Sequence, residues 1–130
     1  MIRAVARGLR IHHLAVRASD PETVAAFYSG VLGLPELRRS EDATGLRAVW
    51  VQAGDMVLMI ERSLKGEGPA AGSGHVFVFA VEDLTAWERR LEAAGVAVDD
   101  RTEATLYVRD PEGHRVGLSV YPMTGHLRAD

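Results

Sequence analysis

The chain has 130 residues, with 15 basic and 18 acidic side chains for a formal net charge of −3, and it is 47% hydrophobic and 25% charged. That composition excludes a disordered chain, and the length predicts one domain able to bury about two-thirds of its unfolded surface. It contains no cysteine, which excludes disulfides, thiolate nucleophiles, cysteine-ligated zinc and iron–sulfur clusters; without a basic excess, nucleic acid is not expected as a partner.

Lys65 is the single lysine, and arginine supplies the remaining positive charge, a usage that points to a GC-rich bacterial genome. No apolar run reaches the 18 or so residues of a membrane span, and no secretory hydrophobic region stands near the start. A cytoplasmic protein is expected. Residues 1–10 read as an N-terminal extension carrying Arg3, Arg7 and Arg10.

In chain order, Ile11–Ala18 predicts an apolar strand. Ser19-Asp20-Pro21-Glu22 then predicts a helix start, with Ser19 as cap, Pro21 in the first turn and Glu22 completing a capping box. Val24, Phe27, Tyr28 and Val31 recur at helical spacing, and Gly33 stops the helix. Strands follow over about Glu36–Ser40, Leu46–Gln52 and Asp55–Glu61, the last two joined as a hairpin through Ala53-Gly54-Asp55. Ser63–Gly74 is glycine-rich. Its Gly66-x-Gly68-x-x-x-Gly72 misses the dinucleotide fingerprint by one residue and lacks a strand–turn–helix setting, so it reads as linker.

The order then repeats. Val76–Val81 predicts a strand. Asp83 caps a helix whose stripe is Leu84, Trp87, Leu91 and Ala94, ending at Gly95. Val96–Asp99, Thr105–Arg109 and Arg115–Tyr121 predict three more strands, with Asp110-Pro111-Glu112-Gly113 as the final turn. The chain is therefore βαβββ twice, an α+β arrangement with modules at 11–62 and 74–121, a linker at 63–73 and a C-terminal tail at 122–130. Neither half buries its own sheet face well, so the halves must pack on each other or on a second chain.

Several stretches carry a resemblance: Ile11-His12-His13-Leu14-Ala15-Val16-Arg17-Ala18-Ser19-Asp20, Phe27-Tyr28, Leu32-Gly33-Leu34, Phe79-Ala80-Val81-Glu82-Asp83-Leu84, Leu91-Glu92-Ala93-Ala94-Gly95-Val96 and Arg109-Asp110-Pro111-Glu112-Gly113-His114-Arg115-Val116. Together they resemble the vicinal oxygen chelate superfamily, which includes glyoxalase I, bleomycin resistance proteins, extradiol dioxygenases and fosfomycin resistance enzymes. The resemblance spans about residues 11–121. It implies two βαβββ modules whose mixed sheets curl into a cup, with a divalent metal held there by the first and last strand of each module. It does not fix the reaction, since one scaffold hosts many functions.

Strand parity decides which side chains meet that cup. His13, Ala15 and Arg17 face it from the first strand, and His13 falls on the family's ligand position. Val57, Met59 and Glu61 face it from the fourth. Met59 stands where the family places glutamate, and a thioether is a poor ligand for hard divalent ions. Glu61, two residues on, either reaches a shifted metal or is a solvated carboxylate at a strand end. An offset of 63 residues maps Asp20 onto Asp83 and His13 onto Val76, so His75 serves as a ligand only if a bulge at Gly74 re-aims it. Related metalloenzymes carry glutamate four residues after the glycine of the last turn; here that residue is Gly117. His114 on the turn reads as a surface residue.

The metal set left is His13, His75 and Glu61, two histidines and a carboxylate. Otherwise the cup is apolar, lined by Val57, Met59, Val76, Val78 and Ala15, with volume opened at Gly117. Trp50, Tyr107 and Tyr121 supply rim or walls, and Arg17 anchors an anionic or carbonyl-bearing ligand. The principal reading is a binding protein with a degenerate metal site and no cofactor, holding an apolar or aromatic small molecule, as a homodimer. The alternative is a divalent-metal-dependent lyase, isomerase or dioxygenase using His13, His75 and Glu61. Whether the protein is an enzyme stays open at this level.

Overall fold

The structure, a computed structural model, describes residues 8–66, 68–69 and 74–122. Its elements are β1 (His13–Arg17), α1 (Pro21–Ala26) continued by a π-helical turn (Phe27–Val31), β2 (Glu36–Asp42), β3 (Gly45–Ala53), β4 (Met56–Glu61), β5 (Val76–Ala80), α2 (Leu84–Ala93), β6 (Asp100–Arg101), β7 (Thr105–Arg109) and β8 (Arg115–Ser119). They form two four-stranded mixed sheets, ordered β1-β4-β3-β2 and β5-β8-β7-β6. β1 runs parallel to β4 and β5 parallel to β8, while the other pairs are antiparallel. The fold is α+β, built from two βαβββ modules, and the sheets do not close on one another.

Period-two alternation sorts each sheet into a covered and an uncovered face. Val16, Val49, Val51, Leu58 and Ile60 of the first sheet are buried, as are Leu106, Val108, Val116 and Leu118 of the second. These faces share one continuous core with Val24, Ala25, Phe27, Tyr28, Leu32 and Leu91 from the helices. No helix among the described residues is long and apolar enough to cross a membrane.

Three local readings of the sequence need correction. The cap of α1 is Asp20, not Ser19: its carboxylate accepts from the amides of Glu22 (3.2 Å) and Thr23 (3.4 Å) and from the Thr23 hydroxyl (2.7 Å). Ser19 is spent elsewhere, donating its amide and hydroxyl to the two carboxylate oxygens of Glu112, each at 2.9 Å. The first helix also changes pitch after Ala26, with the Leu32 amide bonding to the Phe27 carbonyl at 3.0 Å. This wider turn adds a residue per revolution, which lets the consecutive Phe27 and Tyr28 both turn inward. Lastly, β6 is Asp100–Arg101 rather than Val96–Asp99. Val96 and Val98 satisfy their apolar character by packing against the core without joining the ladder.

The modules are joined at the turn between β7 and β8. Asp110 is 4% exposed. Its Oδ1 accepts from the amides of Glu112 (2.9 Å), Gly113 (2.9 Å) and His114 (2.8 Å). Its Oδ2 accepts from the Tyr28 hydroxyl of the first module at 2.8 Å. Gly113 takes φ of 104° to close this turn, a conformation that favours glycine. His114, expected at the surface, is partly buried and donates from Nε2 to the Arg17 carbonyl at 2.8 Å; the carbonyl can only accept, which fixes the tautomer. Tyr28→Phe should therefore leave a buried carboxylate oxygen without its donor and cost about 1–3 kcal/mol in urea unfolding. An unchanged midpoint would show that the bond contributes nothing.

Candidate functional site

The uncovered faces carry the residues that strand parity assigned to the cup. In the first sheet, register places His13 beside Val57, Ala15 beside Met59 and Arg17 beside Glu61. Trp50 of β3 lies opposite Met59, and the Arg38 guanidinium sits 4.7 Å over its ring. In the second sheet, Val76 pairs with Arg115 and Val78 with Gly117; Tyr107 lies opposite Gly117 and Arg109 opposite Arg115.

Each expected ligand is already engaged. His13, at the exposed start of β1, has its Nδ1 2.9 Å from the Nδ1 of His12, the rings edge-on at 5.1 Å. One ring must donate and the other accept, so this contact needs at least one neutral imidazole. Glu61 is not a solvated carboxylate. It is 6% exposed and paired with Arg47 at 2.8 Å. Arg17 donates to the Gly68 carbonyl at the linker, so its guanidinium is held by its own chain. His75 lies just before β5 and lines a cleft with Gly74, Val76, Arg109 and Arg115.

Gly117 overturns a volume argument. Losing a carboxylate there was expected to open space, yet a Cβ at this position would stand 3.1 Å from Val78 Cγ2, 3.3 Å from Tyr107 Cε1 and 3.4 Å from Thr105 Cγ2. The neighbours have closed over the glycine. Tyr107 is pinned there by the Arg115 guanidinium, 4.2 Å above its ring, a stack worth about 0.5–2 kcal/mol. Tyr121 lies beyond β8 and is 70% exposed.

Catalytic zinc needs three protein ligands, and Mg²⁺, Mn²⁺ or Ca²⁺ needs several oxygens. Among the described residues no three His, Asp or Glu side chains gather as such a group. His13, His75 and Glu61 are not brought together, and the one carboxylate of the three is neutralised by Arg47. Within one chain, the described residues show no set that fits the metal the resemblance implies.

Burial does perturb one group on the covered side. Desolvation, reinforced by the Asp110 carboxylate, pushes the Tyr28 hydroxyl far above tyrosine's ordinary range; it stays a protonated donor at any working pH and has no acid–base role. Two cavities border the described residues: one of about 430 Å³ beside Leu32, Leu34, Val78, Val81, Trp87 and Leu118, and one of about 440 Å³ beside Phe27, Val98 and Pro111.

Comparison with known proteins bears on the whole arrangement. The sequence family described as the Glyoxalase/Bleomycin resistance protein/Dioxygenase superfamily matches residues 10–118. The chain belongs to this superfamily. Glutathione transferase FosA from Serratia marcescens is 28% identical over 126 residues, 92% of this chain and 86% of that protein. Among solved structures, TnmS3, an antibiotic binding protein from Streptomyces sp. CB03234, aligns with TM-score 0.69 and 24% identity over 86% of this chain and 95% of that one. Fosfomycin resistance protein FosX from Listeria monocytogenes, complexed with Mn(II) and 1S,2S-dihydroxypropylphosphonic acid, aligns with TM-score 0.74 and 17% identity over 92% and 98% of the two chains. At these identities the two structures speak for the fold alone.

Sequence reasoning passed over Arg109 and Arg115. The signal was available: they flank the Asp110–His114 turn, so any two-stranded pairing across that turn sets them opposite each other. Gly117→Glu, which restores a carboxylate to the superfamily position, should force Val78 and Tyr107 aside and destabilise the protein by about 1–3 kcal/mol. Adding Tyr107→Ala should relieve part of that loss in the same urea titration. A Gly117→Glu protein as stable as the parent would contradict the close packing.

Proposed function

We propose that this chain is a small-molecule-binding member of the superfamily with a degenerate metal site. It holds an apolar or aromatic ligand against the concave faces, with Trp50, Val57, Met59, Val78 and Tyr107 as the contact surface. The observation that carries this reading is Gly117, where the superfamily's metalloenzymes carry glutamate and where Val78 and Tyr107 crowd the space a side chain would need. Met59 at the corresponding place in the first module and the Glu61–Arg47 pair support it.

The protein works as a homodimer in a bacterial cytoplasm. Val76 and Val78 are 42% and 49% exposed on the uncovered face of the second sheet, an apolar surface that a second copy would shield. The alternative is a divalent-metal-dependent enzyme using His13, His75 and Glu61. What favours it is the 28% identity to glutathione transferase FosA and the place of His13 on β1.

Protein purified without chelator should carry no stoichiometric divalent ion, and it should bind the neutral fluorophore Nile red equally well before and after EDTA. Light scattering on the same sample should return twice the chain mass. A stoichiometric ion that disappears in His13→Ala would establish the metal-dependent alternative instead, and a monomeric mass would remove the homodimer.

A further inference from the structure

Two arginines, one from each strand, flank the Asp110–His114 turn. Arg109 ends β7, Arg115 begins β8, and the two are register partners. β5 adds Val76 beside Arg115, so one rung across the uncovered face of the second sheet reads Val76, Arg115, Arg109. His75 precedes Val76 in the chain. Together with Gly74 these residues line a cleft of about 170 Å³, room for a phosphate or carboxylate group and a few attached atoms, given that a water occupies about 30 Å³.

The arginines are held in place from outside. Arg115 donates from Nη2 to Asp100 at 3.1 Å while its guanidinium lies on the Tyr107 ring at 4.2 Å. Arg109 donates from Nη1 to the Gly113 carbonyl at 3.1 Å and from Nε to Asp99 at 3.3 Å. Asp99 and Asp100 stand exposed at the margin, where ion pairs are weak and yield to competing groups. Arg115 Nε is buried and has no hydrogen-bond partner among the described residues. A buried charged N–H without an acceptor is costly, and such groups in native proteins call for a missing partner.

We propose that the cleft at His75, Arg109 and Arg115 is an oxyanion site, taking a carboxylate or phosphate group of a small molecule. The anion accepts from Arg115 Nε and lies between two planar guanidinium groups, whose fork matches either oxyanion. The site goes beyond the apolar binding described above and does not depend on it. The arginines project from paired strands, so their backbones are fixed before ligand arrives, while Asp99 and Asp100 give way to it.

The test is a titration with inorganic phosphate and, separately, with acetate, followed by NMR at the arginine Nε–H resonances and by calorimetry. At least one of the two anions should bind and shift the Arg115 Nε–H; which of them binds more tightly identifies the group. Arg115→Gln should weaken binding by about tenfold or more, equivalent to one charge-assisted hydrogen bond. Arg115→Lys, which keeps the charge but loses the Nε–H, should fall between. Asp100→Asn should bind more tightly than the parent because the competing carboxylate is gone, while Arg89→Gln on α2 should bind like the parent. Nile red titrated into the Arg115 variants reports separately on the apolar surface. The proposal is overturned if neither anion binds the parent, or if Arg115→Gln and Arg115→Lys bind as the parent does.

Discussion

Asp110 brings together four donors, three from its own turn and one from the other module: the amides of Glu112, Gly113 and His114 and the hydroxyl of Tyr28. A buried carboxylate is tolerated only when its oxygens are satisfied in this way. The three amides tighten the turn between β7 and β8, and the tyrosine belongs to the other module. The same turn sends Glu112 to Ser19 and His114 to the Arg17 carbonyl. Removing this cluster would take away these polar bonds between the two modules and leave the shared apolar core, whose contacts are non-directional.

The concave chemistry follows from that turn. With its geometry set, Arg109 and Arg115 must face each other one step beyond it, and Tyr107 and Gly117 two residues further along the strands. The stack of Arg115 on Tyr107, and of Tyr107 against Gly117, then fills the place where a metal-binding carboxylate would project. Restoring such a carboxylate is not a one-residue change, because its neighbours have repacked. The surface that results is aromatic and apolar at its centre and cationic at one end.

Much of this was legible in the sequence. The doubled element order, the alternation in β1, β4, β5 and β8 and the Asp-Pro-Glu-Gly turn are all local, and local patterns survive folding. What escaped was non-local. Ser19 looks like a cap until Glu112, 93 residues away, takes both its donors. Glu61 reads as solvated until Arg47 folds onto it. Gly117 reads as a gap because the place of the Tyr107 ring depends on a rotamer, and the rotamer on Arg115. His114 reads as a surface residue because its acceptor belongs to the other module.

The central claim is that a buried carboxylate at the β7–β8 turn makes the two βαβββ modules one cooperative unit. Native-state hydrogen exchange on the parent and on Asp110→Asn tests it most directly. The account predicts that in the parent the slowest amides of β3 and β4 and of β7 and β8 open with the same free energy. In Asp110→Asn the two sets should separate, each module opening by its own cheaper route. Two different opening energies in the parent, or a common energy that persists in the variant, would contradict it.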